Sequence, residues 1–320
     1  MGAPPSVRAE EKTGPVRRAS VVAWASLLIV WVVWGSTYLA IRVGVQTIPP
    51  LLMAAARNLV AGLIMFPLAL RSRRGAARGA GTAGWLPGRA ERLGCAIVGV
   101  LLLGANAVVG VGERTVPSGL AALLIATVPL WLLGMDAALN HARFGLAPLA
   151  GLVLGLAGVA LLSGLGGGPG GASALGVVTI LGAAATWALG TIMVRRVTLP
   201  QNAALASGMQ LLIGGVVLAA LAAAAGELGS LRLAAVSAQS WAALGYLIVV
   251  GSIVAFSAYG IAVRALPTAI VATYAYVNPV IAVLLGTLIL NERLTPAMAG
   301  GGALIVGAVI LVVRRTPSAH

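Results

Sequence analysis

No charged residue occurs between Phe144 and Val194. The same is true of Ala19–Ile41, Leu93–Gly112, Thr115–Met135, Val197–Gly226, Leu233–Val263, Ala265–Asn291 and Leu294–Val313. A helix needs about 20 apolar residues to cross the hydrocarbon core of a bilayer, so most of these runs hold one span and the longer ones can hold two. Only 9% of the 320 residues are charged and 60% are hydrophobic, whereas a soluble domain carries about 25% charge. Such a chain has too little polar surface to dissolve in water. In lipid the backbone must satisfy its own polar groups, which leaves helices as the economical solution. The sequence therefore predicts an all-α polytopic membrane protein.

Ten spans are expected, at about 22–44, 50–70, 93–112, 116–137, 146–164, 173–194, 203–225, 240–262, 267–290 and 295–313. Pro50, Pro117, Pro148, Pro267 and Pro296 fall near span starts, where a missing N–H costs nothing. The polar first 20 residues, with Pro4, Pro5 and Pro15, read as a disordered N-terminal segment. The apolar run behind them is too long for a cleaved signal and reads as a retained first span. Residues 165–172 form a glycine-rich linker between two five-helix halves, 21–164 and 173–313, and 314–320 form a short tail.

The two halves are copies of one plan. Arg114–Pro129 (RTVPSGLAALLIATVP) recurs as Arg264–Pro279 (RALPTAIVATYAYVNP) at a shift of 150, with the same twelve-residue step between prolines. Trp34-Gly35 is answered by Trp187 and Gly190 in a register shifted by 153 for the tryptophans. Because each half holds an odd number of spans, the second copy is expected upside down relative to the first. Two inverted five-helix repeats are an architecture of secondary transporters, with a substrate site near mid-membrane between the repeats.

The net charge of +14 is mostly a topology signal. Of the 21 basic residues, 16 fall on one side of the expected spans; Arg42, Arg57, Arg114, Arg232 and Arg293 are the others. That excess marks the cytoplasmic side and places both termini there. Nucleic acid is not expected as a partner, since no basic–aromatic interleaving accompanies the charge. Cys95, the single cysteine, lies in an apolar run and reads as packing.

Polar residues inside the apolar runs are the candidate site. Arg57 lies about 10 Å into the second span at 1.5 Å per residue. A charge at that depth costs about 2.5–3.5 kcal/mol and usually faces a cavity or a partner. Its counterpart in the repeat register is Gln210, and a cation facing an amide suits a carboxylate-bearing or zwitterionic solute. Asn106, Trp34, Tyr38, Trp187, Tyr259, Tyr274 and Asn278 are expected around them, because buried Tyr and Trp need a partner for their polar tips. Trp34 and Tyr38 equally suit an interfacial belt. Asn278, next to Pro279, equally suits a structural role at a carbonyl the proline leaves free.

Acids are scarce: Glu113, Asp136 and Glu292 are the candidates for proton coupling or gating, with a local pair to Arg114 the default for Glu113. No metal set, cofactor motif or nucleoside-triphosphate loop is present, which argues against an enzyme or a pump driven by ATP. Glycines such as Gly151 and Gly155, and Gly300–Gly302 in the last span, suit close helix packing within the chain or between two chains, so monomer and homodimer both remain open.

The chain resembles EamA-type permeases of the drug/metabolite transporter superfamily. The resemblance rests on WGSTYLAIRVGVQTIPPLLMAAARNLVAG (Trp34–Gly62), VPSGLAALLIATVP (Val116–Pro129), YAYVNPVIAVLLGTLILNERL (Tyr274–Leu294) and the glycine-rich last span. It implies a bacterial inner-membrane exporter of small metabolites, amino acids or drugs, with a central cavity between two repeats. It also implies roles for Arg57, Glu113 and Glu292. Where the first repeat of the family often keeps an acid matching Glu292, this chain has Asn140-His141-Ala142-Arg143. A facilitative carrier or importer is the alternative, and an intramembrane enzyme a distant third.

Overall fold

The computed structural model describes residues 14–79, 86–140, 173–266 and 274–315, with isolated helical positions between 150 and 161. All regular structure among the described residues is helical. The helices are α1 (Gly14–Gly44), α2 (Pro50–Gly79), α3 (Arg89–Gly112), α4 (Ser118–Ile125), α5 (Val128–Asn140), α6 (Ala174–Val194), α7 (Ala203–Ala224), α8 (Glu227–Ser230), α9 (Ala238–Tyr246), α10 (Ala255–Ala265), α11 (Tyr274–Leu290) and α12 (Pro296–Arg315). A π-helical segment, Leu247–Val254, joins α9 to α10.

Among the described residues, six stretches are long and apolar enough to cross a membrane: Val21–Gly44, Pro50–Ser72, Arg89–Gly112, Ala174–Val194, Ala203–Ala224 and Ala238–Tyr259. Ser118–Leu132, Val277–Leu290 and Pro296–Ala308 are shorter apolar helices. Large apolar side chains such as Leu28, Leu63, Val178, Val216 and Leu288 point outward, as a lipid-facing surface requires.

Several boundaries differ from expectation. Helix α1 begins at Gly14, inside the stretch expected to be disordered. The fourth expected span is broken at Ala126-Thr127, between α4 and α5. Pro129 explains the break: it has no N–H to give the Ile125 carbonyl, and its ring would crowd that oxygen. The Thr127 hydroxyl instead donates to the Leu124 carbonyl at 2.6 Å, and the Leu130 N–H restarts the ladder on the Thr127 carbonyl at 2.8 Å. Most of the fifth span and the glycine-rich linker lie outside the described residues.

The two sequence halves do not sit apart. Helix α2 packs along α7, α3 along α6 and α7, and α1 along α10 and α11. Glycines set these distances, since small residues let helix backbones approach. A Cβ at Gly208 would sit 2.8 Å from the Phe66 backbone, one at Gly62 2.8 Å from the Leu212 nitrogen, and one at Gly99 2.8 Å from the Gln210 carbonyl oxygen. In each case the obstacle includes main chain, which cannot rotate aside. Gly208→Leu is therefore expected to force α2 and α7 apart and to destabilise the fold by about 1–3 kcal/mol, the usual range for overpacking. Thermal melting in detergent reads this directly, and an unchanged melting temperature would contradict the packing argument.

Candidate functional site

The bundle encloses a cavity of about 230 Å³ lined from both sequence halves. From α1 come Trp34, Thr37 and Tyr38; from α2 come Arg57 and Asn58. Asn106 enters from α3, Trp187 from α6, Phe256 from α10, and Tyr274 and Asn278 from α11. The broken fourth span contributes Pro129 and its neighbours. The break matters here, because a continuous helix would carry a different set of side chains past this point.

Arg57 is only 5% exposed. Its Nε–H donates to the Ser252 hydroxyl at 2.8 Å, one terminal nitrogen to Asn106 Oδ1 at 3.0 Å, and the other to the Gly251 carbonyl at 3.4 Å. All three acceptors are neutral, and no Asp or Glu lines the cavity among the described residues. A guanidinium has five N–H donors, so with three committed two are left for a guest. Gly251 and Ser252 belong to the π-helical segment, whose wider turn carries a carbonyl and a hydroxyl toward one guanidinium. Such bulges commonly occur at functional sites. A Cβ on Gly251 would lie 3.4 Å from an Arg57 terminal nitrogen and 3.2 Å from Thr37 Cγ2, so the glycine leaves room for the approach.

Aromatic rings wall the rest. Trp34 packs edge-on to Phe256 (5.7 Å between centroids) and to Tyr274 (5.2 Å), and tilts against Tyr259 at 5.0 Å. Asn278 is buried, and with its amide oriented to satisfy its neighbours it donates to the Tyr274 and Trp31 carbonyls, each at 3.1 Å. That bond ties α11 to α1, a structural use of the residue alongside its place in the cavity wall.

Of the residues expected around the site, Trp34, Tyr38, Arg57, Asn106, Trp187, Tyr274 and Asn278 line the cavity. Tyr259 stands behind Trp34. Gln210 does not line the cavity, and the structure does not bring it to Arg57 as its partner. Helix α2 meets α7 through Leu59, Gly62 and Phe66; Arg57, two residues before Leu59, is turned about 200° away at 100° per residue. Gln210 instead lays its main chain against Gly99 of α3.

Glu113 is wholly buried at the end of α3 and neither carboxyl oxygen has a hydrogen-bond partner, in place of the expected local pair with Arg114. The Arg42 guanidinium donates to the Glu113 main-chain carbonyl. The Glu292 carboxylate accepts from the Ser118 and Gly119 N–H groups, at 2.9 and 3.2 Å, and from the Ser118 hydroxyl at 3.0 Å. The Asp136 side chain lies outside the described residues.

Sequence reasoning missed Thr37, Asn58, Gly251, Ser252 and Phe256. A Gly-Ser pair inside the uncharged Leu233–Val263 run was the available signal for two of them.

Against this geometry, the sequence profile of the EamA-like transporter family matches residues 21–164 and again residues 174–314. The chain belongs to the EamA-like transporter family. Among EamA relatives, the uncharacterised inner membrane transporter YedA of Escherichia coli strain K12 is 38% identical over 293 residues, covering 90% of each chain. The uncharacterised transporter YvbV of Bacillus subtilis strain 168 is 28% identical, covering 88% of each chain. A Salmonella typhimurium protein named "Probable amino-acid metabolite efflux pump" is 24% identical, covering 89% of this chain and 93% of its own. One solved crystal structure shares the fold, with a TM-score of 0.58 at 21% identity, covering 94% of this chain and 99% of the other. These relatives bear the names of transporters and not of enzymes.

Removing the Ser252 hydroxyl strands the buried Nε–H of Arg57. Ser252→Ala is expected to cost about 1–3 kcal/mol, the penalty for an unsatisfied buried donor. A lowered melting temperature in detergent, relieved in the Arg57→Leu/Ser252→Ala double variant, is the expected pattern; additive losses would show that the two side chains act independently.

Proposed function

We propose that this EamA-family protein is a secondary transporter that exports small solutes bearing one carboxylate, amino acids among them, by alternating access around the Arg57 cavity. The carrying observation is a buried guanidinium with neutral partners and two spare donors. An uncompensated charge in a membrane interior is costly, and a guest carboxylate offsets it with two parallel charge-assisted hydrogen bonds. The aromatic rings suit an apolar body, and their faces suit an ammonium group within about 6 Å of a ring centre. The printed name of the Salmonella relative, an amino-acid metabolite efflux pump, supports both the solute class and the direction.

The scaffold for this reading is ten spans in two inverted five-helix repeats, with both termini cytoplasmic in a bacterial inner membrane. The double family match at 21–164 and 174–314 and the repeated Arg–Pro–Pro motif support the duplication. The arginine excess on the side of the termini supports the orientation, and the naming of YedA as an inner membrane transporter supports the compartment.

The test uses proteoliposomes loaded with a labelled amino-acid mixture. A charge-assisted hydrogen bond contributes about 1.5–3 kcal/mol and 1.4 kcal/mol is tenfold, so Arg57→Ala is expected to slow efflux about 10–100-fold at unchanged expression. Arg57→Lys should recover little, because a point charge cannot make the paired contacts. Methyl esters of the transported amino acids should not compete. Efflux at the wild-type rate in Arg57→Ala, or equal competition by esters, would overturn the assignment.

A further inference from the structure

The end of the bundle away from the chain termini is held by bonds between the two sequence halves. The Thr47 hydroxyl donates to Ser240 Oγ at 2.8 Å, and the Ser240 hydroxyl to the Val43 carbonyl at 3.0 Å. The Leu52 N–H in the first turn of α2 donates to the Glu227 carboxylate at 2.9 Å. Glu292 caps α4 with both carboxyl oxygens. Two acids from the second half thus neutralise the positive ends of two helices of the first half, which is where an anion is favoured.

The Glu292 cap is built rather than incidental. Asn291 adopts a left-handed φ of 54°, which folds the chain back so that the Glu292 N–H donates to the Gly286 carbonyl at 3.1 Å. That bond reaches one residue further back than the six-to-one bond of a Schellman ending. Gly286 leaves the space the carboxylate fills, since a Cβ there would overlap Glu292 Oε2. Beside this latch lies Glu113, fully buried with both oxygens unpartnered. A carboxyl in that setting favours its neutral form. The groups acting on it are Arg42 and Tyr38 from α1 and Glu292 from the end of α11. Arg114 and Arg293, next to the two acids in sequence, are exposed, and α6 carries no charged side chain.

We propose that Glu113 is a proton-binding site whose charge state controls the Glu292 cap on α4. With the proton on a Glu113 oxygen, Glu292 is the one carboxylate at this corner and the latch stays shut. When the proton leaves to water at this face, two carboxylates share the positive charge of Arg42. Their repulsion then loosens Glu292 from Ser118 and Gly119, parting the two halves at this end. This extends the transport reading by naming the proton as the coupling ion, and it rests on that reading only for its transport consequence.

The deciding measurement needs no solute: amide hydrogen exchange of peptides covering 116–125, in the purified full-length protein, corrected for the intrinsic pH dependence of exchange. In the wild type, exchange is expected to rise at least about tenfold as the pH is raised. Glu113→Gln, which mimics the protonated acid, should keep the slow rate throughout; Glu113→Asp should retain a pH response; Glu292→Gln should exchange fast at every pH. A flat wild-type profile, or an unaltered pH response in Glu113→Gln, overturns the proposal. In proteoliposomes the same Glu113→Gln variant should exchange labelled amino acids without responding to an imposed pH gradient. Absence of all amino-acid efflux in the wild type would sink the proposed function, while the exchange profile still decides the proton site.

Discussion

A single cation, Arg57, with no anion opposite it among the described residues, organises the middle of this protein. Arg57 cannot be left bare in an apolar interior, so three other groups are arranged for it: Asn106 on α3, and Gly251 and Ser252 on the π-helical segment. Each requirement propagates. The π-helical register is what aims two consecutive polar groups at one guanidinium. Gly251 is what lets the segment approach, and the side chain of Asn106 reaches from a helix that can sit close only because Gly99 meets the Gln210 backbone. The glycine content of the chain and the polarity of its centre are therefore two parts of one constraint.

Neutral acceptors are the informative choice. An Asp or Glu opposite Arg57 would stabilise the empty site and compete with any anionic guest. Amide, hydroxyl and carbonyl partners orient the guanidinium without cancelling its charge, so the site is shaped but electrostatically incomplete. The surrounding rings contribute apolar surface and few competing donors, leaving the guanidinium as the dominant polar anchor in the cavity.

The sequence carried much of this. Charge-free runs locate most of the helices, because hydropathy over about 20 residues is a strong signal. Arg57, Asn106 and Trp187 stand out because a polar or aromatic residue in such a run is costly unless used. What could not be read is azimuth. Gln210 occupies the repeat position of Arg57, yet the register of a duplication says nothing about which face of α7 meets α3. The same blindness hid Ser252 and Gly251, since small polar residues in apolar helices usually bond their own preceding turn. Ser257 does so on the Ile253 carbonyl at 2.7 Å, and Thr287 on Val283 at 2.8 Å. Only the π-helical register distinguishes Ser252 from them, and nothing in LIVVGSIV announces it. The break at Ala126-Thr127 was legible in principle from Pro129, whose cost was outweighed by the unbroken apolar run around it.

Helix starts in this bundle are secured by two means, local caps and carboxylates from the other sequence half, and the difference bears on how such a molecule moves. Away from the termini, the starts of α2 and α4 are closed by carboxylates from the other sequence half, Glu227 and Glu292, while Ser173, Ser237 and Thr295 cap α6, α9 and α12 locally. At the other end, Glu91 accepts from the Gly88 N–H at 2.8 Å, and Asn202 Oδ1 accepts from the Leu205 N–H at 3.1 Å. A local cap travels with its helix and resists no relative motion between halves. A cap supplied from the opposite half must break, or slide, before the halves can part. Away from the termini, separation of the halves is thus opposed by charge-assisted bonds. Glu113, whose carboxyl oxygens accept no hydrogen bond among the described residues, sits beside one of those bonds, where a change of a single charge has the most leverage.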